Sequence, residues 1–86
     1  MNDYSKMGLY EFNILPENER AEIVWEHGVF LTNRTERDFG INLYALSDFY
    51  VEIWYNMPNN KIQKIRTFKS TTPLEPYLGE IDLDLN

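Results

Sequence analysis

The first place in this chain where side chains could do chemistry is Glu52, set between two aromatic residues in the run Tyr50-Val51-Glu52-Ile53-Trp54. A glutamate desolvated by Tyr50 and Trp54 would suit general acid work, because burial favours its protonated form. Pairing the flanking segments as strands brings Arg66 opposite, and that makes Glu52 a poor general acid. His27 is the single histidine and follows Glu26. Adjacent residues point to different faces of a helix, and one histidine cannot build a multi-histidine metal site; a place at a helix end accounts for it. Ser47-Asp48 lacks a Gly-x-Ser-x-Gly elbow and reads as a turn. The carboxylates Glu75, Glu80, Asp82 and Asp84 lack the glycine and bidentate-glutamate pattern of a calcium loop, so they read as a solvated terminus. Asn33-Arg34-Thr35 matches a glycosylation triplet that has no meaning in a cytoplasmic protein. There is no glycine-rich phosphate loop and no cysteine. These residues lead to the expectation of no enzymatic activity, no metal and no cofactor.

A surface reading goes further than a catalytic one. On a strand, Tyr50, Glu52 and Trp54 share one face, and a neighbouring strand would add Arg66 and Phe68, with Tyr44 close by. Aromatic residues grouped around a charged pair are the usual make-up of a partner-binding patch. The same grouping also serves cross-strand stabilisation, in which a pair such as Glu52–Arg66 contributes about 0.2–1 kcal/mol without any ligand. Both readings stay open from the sequence.

The elements that must position these residues follow from the pattern. Asp48 to Asn56 holds four aromatic and two β-branched residues in nine positions, with strict alternation, and is read as the central strand. Leu9 to Leu15 is an ordered lead-in of about one helical turn. Pro16 opens a helix over 16–27, with Glu17 and Glu19 in its first turn and Gly28 as a left-handed cap. Its apolar stripe is Ala21, Val24 and Trp25, flanked by Ile23. Val29 to Arg34 is a strand with Val29 and Leu31 on one face, Thr35 to Gly40 a connection, and Ile41 to Leu46 a second strand. After the turn at 57–60, Ile62, Ile65 and Phe68 are spaced by three in the segment 61–69. A strand with one bulge at Gln63-Lys64 accommodates that spacing. It sets Tyr55 against Ile62, Ile53 against Ile65, Val51 against Thr67, Glu52 against Arg66 and Tyr50 against Phe68. Thr72-Pro73-Leu74-Glu75 matches a capping box and opens a short last helix weakened by Pro76 and Gly79.

These elements predict an α+β domain over residues 1–86, with 1–6 loose. It has an antiparallel meander of three to four strands, with an N-terminal and a short C-terminal helix packed on one face. That face carries Phe49, Val51, Ile53 and Tyr55. The chain has 86 residues, 43% of them hydrophobic and 15% aromatic, enough for one packed core. A net charge of −6 disfavours nucleic acid and anionic membrane surfaces. It fits either a solvated surface or an acidic face for a basic partner. Without an apolar leader or a run of roughly 20 apolar residues, the expected location is cytoplasmic.

Four segments carry a resemblance: Leu9-Tyr-Glu-Phe-Asn13, Trp25-Glu-x-Gly-x-Phe-Leu31, Phe49-Tyr-Val-Glu-Ile-Trp-Tyr55 and Ile62-x-x-Ile-Arg-x-Phe68. Together they resemble a group of small uncharacterised bacterial proteins over most of the chain. The resemblance implies a bacterial origin and one compact domain, and brings no activity and no functional residues with it. The leading functional expectation is therefore a non-catalytic, acidic protein-interaction module of adaptor, inhibitor or immunity type. Its partner-binding candidates are Tyr50, Glu52, Trp54, Arg66 and Phe68. The alternatives are a homodimer packed through the same face, and a small-molecule binder or minor enzyme with a pocket near Tyr55 and Tyr77.

Overall fold

A short helix, α1 (Leu9–Asn13), leads into a longer one, α2 (Glu17–His27). Four strands follow, β1 (Val29–Glu36), β2 (Phe39–Leu46), β3 (Phe49–Asn56) and β4 (Lys61–Phe68). They form one antiparallel meander in the order β1-β2-β3-β4, so the protein is α+β. This is a computed structural model, and it describes residues 7–69. The loose segment expected at 1–6 and the last helix expected from Thr72 lie outside the described residues.

Sequence and structure agree closely around β3. The central strand is an inner one, and its partner β4 has the expected register, with Glu52 opposite Arg66, Ile53 opposite Ile65 and Tyr55 opposite Ile62. The shift falls between Trp54 and Tyr55, whose partners are Lys64 and Ile62, so Gln63 is the extra residue. The bulge keeps Ile62 and Ile65 on one face despite their spacing of three.

Both described helices pack on the face that carries Phe49, Val51 and Ile53, where Phe12, Ile23, Val24 and Leu46 complete a core cluster. Phe12 is fully buried and its ring lies 5.4 Å from that of Phe49, which is how five residues of α1 are held in place. The hydroxyl of Thr67 on β4 donates to Asn13 Oδ1 at 3.0 Å and ties down the end of the same helix.

The helix α2 departs from expectation at three points. Pro16 is the N-cap, one position before the helix begins. Gly28 is extended rather than left-handed, with φ −76 and ψ 155, because the chain runs straight from the helix into β1. Glycine is needed there for space, since a Cβ would come within 2.6 Å of the Val24 carbonyl oxygen. Trp25 leaves the buried stripe: Ala21, Ile23 and Val24 are buried while Trp25 is 53% exposed.

The first hairpin is tighter than its charged residues imply. Only Arg37-Asp38 forms the turn, so β1 extends to Glu36 and β2 starts at Phe39. A register shift between Phe30 and Thr32 makes Leu31 a bulge.

Candidate functional site

Alternation along β3 turns Tyr50, Glu52 and Trp54 away from the helices, and the Gln63 bulge brings Arg66 and Phe68 to the same side. The five residues singled out in the sequence do come together. The expectation that they form an open aromatic surface is overturned, because Trp54 is 7% exposed, Phe68 8% and Glu52 0%. Tyr50 is partly buried, and the Arg66 side chain keeps 45% of its exposure. Ile41 and Leu43 on β2 lie on this second face and are fully buried too. Leu43 and Phe68 form a separate core cluster with Leu31 and Tyr50 around it. Tyr44 is on the helix-covered face instead, edge-on to Phe30.

Glu52 is the centre of this second face. Its Oε1 accepts the Trp54 indole N–H at 3.1 Å and Arg66 Nη1 at 3.3 Å. Its Oε2 lies 3.7 Å from Arg34 Nη2, and Arg34 Nη1 donates to Glu36 Oε2 at 2.6 Å. The Arg34 hydrogen bond holds the Glu36 carboxyl below its ordinary range, against desolvation that raises it. Lys64 Nζ sits 4.0 Å from the centre of the Trp54 ring and the Arg34 guanidinium 5.5 Å from it, both favourable cation–π distances. Tyr50 stacks on Phe68 at 5.6 Å, and Arg66 lies over Phe68. A buried carboxylate is costly unless charges and donors meet it, and here they do. The carboxylate thus links β1, β3 and β4 through Arg34, Trp54 and Arg66.

Arg34 and Lys64 are the members that sequence reading missed. Without the Leu31 bulge, alternation from Val29 sends Arg34 to the helix-covered face; with it, Arg34 pairs with Ile41 and shares a side with Glu52.

An accessible concave surface lies elsewhere, between α2 and the start of β4. It is a groove of about 430 Å³, with Glu17, Ala21, Glu22 and Trp25 on the helix side and Lys61 and Ile62 on the strand side. The Trp25 indole N–H donates to the Tyr55 hydroxyl at 3.2 Å, which fixes the exposed ring at the groove's wall. The Lys61 backbone N–H donates to Asn59 Oδ1 at 2.9 Å, which orders the turn behind the opposite rim. Spacing of three and four along α2 puts Glu17-Asn18, Ala21-Glu22 and Trp25 on the groove side, the helical periodicity that could have revealed it. The pocket expected near Tyr55 and Tyr77 involves Tyr77, which lies outside the described residues.

His27 Nε2 is 3.7 Å from Glu26 Oε2, both at the exposed end of α2. Among the described residues, no group of three or more histidine, aspartate or glutamate side chains could hold a metal. No helix among them is long and apolar enough to cross a membrane. Compared with known proteins, the chain matches no family model, no curated protein and no solved structure.

Proposed function

We propose that this protein is a non-catalytic interaction module that takes a basic segment of a partner protein into the groove between α2 and β4. The observation that carries the reading is Trp25: an indole more than half exposed, held by Tyr55, on a helix whose charged side chains are Glu17, Glu19, Glu22 and Glu26 against Arg20. Tryptophan is the residue most enriched at binding hot spots. A lysine or arginine laid over its face gains about 0.5–2 kcal/mol, with the aliphatic stem running along Ala21 and Ile62. The carboxylates of α2 and the net charge of −6 steer a cationic partner toward this side. Lys61 on the far rim sets orientation, with cationic groups directed to α2. The burial of Trp54 and Phe68 favours this groove over the second face of the sheet as the docking surface.

The test uses the tryptophan itself. In a Trp54→Phe background, the emission of Trp25 is titrated with a lysine- and leucine-rich peptide and with its glutamate-substituted counterpart. Saturable quenching by the basic peptide alone, weakened by salt and by Glu22→Lys, supports the module. Equal response to both peptides rejects it. Capture from lysate then identifies a partner, which must be lost in Trp25→Ala.

A homodimer is the second reading, and it is favoured by the edge strand rather than by the buried face. β1 is at the sheet edge and leaves Val29 and Phe30 more than half exposed, an invitation to pair with another copy. Light scattering across a concentration series decides it: a constant monomer mass removes the dimer.

A further inference from the structure

We infer that the groove continues past Trp25 onto the sheet and ends in an apolar notch at Gly40, which seats a leucine-like side chain of the same basic segment. This rests on the proposed groove as the binding site and adds the sequence that it selects.

Gly40 is the second residue of β2, and neither backbone nor crowding asks for glycine there. Its φ is not positive, and its pairs with Thr35 and Tyr55 fall in unbroken register. Beyond its chain neighbours and among the described residues, a Cβ at Gly40 would meet only Met57 Cγ within 4 Å, at 3.7 Å, an ordinary contact. A strand glycine that packing does not require is a usual mark of close approach by another molecule.

The space left by Gly40 has two walls. One is Tyr55, its cross-strand partner, whose hydroxyl accepts the Trp25 indole N–H at 3.2 Å. The other is Met57, which is 45% exposed on a backbone whose N–H donates to the Asp38 carbonyl at 2.9 Å. A methionine thioether adapts to irregular apolar groups. Register brings this notch into line with the groove: Thr35, Gly40, Tyr55 and Ile62 pair in succession across all four strands. Ile62 is itself a wall of the groove.

Charge selects what fills the notch. On this face β1 presents Phe30, Asn33 and Thr35 and β2 presents Gly40, Asn42 and Tyr44, none of them charged. Arg34, Glu36, Glu52 and Arg66 alternate onto the opposite face. A cation held by the carboxylates of α2 finds no counter-charge at Gly40, whereas an aliphatic side chain gives up only water there. Two strand spacings separate Gly40 from Ile62, about 9.5 Å, which an extended chain spans in about three residues. The segment therefore sets its lysine or arginine on Trp25 and a leucine, isoleucine or methionine that many positions away.

Two dye-labelled peptides test this by fluorescence anisotropy on the full-length protein. They share their lysines and differ only in leucine or serine at the third position from the lysine. The leucine peptide should bind roughly five- to tenfold more tightly. That ratio should hold when added salt weakens both peptides, because apolar burial is not screened. Gly40→Ala has room for its methyl, so its thermal midpoint should be unchanged or higher. It should weaken the leucine peptide severalfold and leave the serine peptide as it was. Met57→Ala, at an exposed position, removes a wall and should reduce the leucine preference as well. Equal binding of the two peptides to the wild type, or a leucine preference that survives both variants, overturns the notch and leaves the groove standing. Failure of both peptides to bind removes the groove itself, and the notch with it.

Discussion

Arg66 stands directly across the sheet from Glu52, with Nη1 3.3 Å from Oε1, because Gln63 is bulged out of β4. Without that extra residue the two side chains would be on opposite faces, since a shift of one reverses every side chain beyond it. The two partners are unequal: Glu52 is fully buried whereas Arg66 is nearly half exposed.

That inequality gives an ordered prediction. Glu52→Ala removes the acceptor shared by Trp54 and Arg66 and leaves Arg34 beside it without that carboxylate, a loss of about 3–5 kcal/mol. Arg66→Ala should lose only about 1 kcal/mol, because solvent screens the exposed guanidinium and Trp54 still donates to Glu52. Urea unfolding midpoints measure both; equal losses would show that Arg66 alone compensates the buried charge.

Gly28 offers a test of why a helix ends where it does. Its φ of −76 is open to any residue, so a left-handed requirement is not the reason for glycine. The reason is the Val24 carbonyl, to which Gly28 N–H also donates at 2.8 Å. Gly28→Ala should therefore destabilise by about 1–3 kcal/mol. Gly28→Asn, which rescues left-handed caps, should be no better than alanine by thermal denaturation.

Arg37 turns the first hairpin in the left-handed region, with φ 56. An ordinary side chain loses roughly 1–2 kcal/mol there, and glycine returns part of that through its larger unfolded-state entropy. Arg37→Gly is expected to stabilise by about 0.5–1 kcal/mol, and Arg37→Val to destabilise by more than that. Chemical denaturation of the pair settles the sign.

What was legible in the sequence tracks how local the signal was. β3 announces itself through alternation, and β4 could be placed because its three-residue spacing admits one bulge that satisfies five cross-strand pairs at once. The Leu31 bulge leaves no such mark: Val29, Phe30 and Leu31 are all apolar, so alternation is already lost and Arg34 falls on the wrong face by count. Burial of the second face was not legible for a different reason. Tyr50, Glu52, Trp54, Arg66 and Phe68 read as an exposed patch because aromatic and charged residues are shared by open hot spots and enclosed polar networks alike. The burial of Ile41, Leu43, Glu52, Trp54 and Phe68 distinguishes them, and residue type and alternation do not carry that burial. Trp25 sits at the edge of an apolar stripe and fits the core pattern by sequence, yet its indole lies half exposed with its N–H on the Tyr55 hydroxyl, a long-range contact that helical spacing does not encode.

Among the described residues, Glu36 and Tyr44 are shifted from their ordinary ranges in opposite directions, and they predict opposite arms of a pH–stability curve. Glu36 is lowered, first by the hydrogen bond from Arg34 and then by nearby positive charge from Arg34, Lys64 and Arg37. A folded-state value below the unfolded one gives stability that is present above the ordinary glutamate range and lost as pH falls through the folded value. Tyr44 is raised above its ordinary value of 10.0, chiefly by burial on the helix-covered face, with Tyr55 adding to it. A folded-state value above the unfolded one gives stability that is complete below the ordinary phenol range and lost as pH rises through the folded value. Unfolding free energies measured across both ranges should show Glu36→Gln flattening the acid arm alone. Tyr44→Phe should flatten the alkaline arm alone, since it keeps the ring that meets Phe30 and removes only the ionisable hydroxyl. An alkaline slope that persists in Tyr44→Phe would move its origin to another phenol.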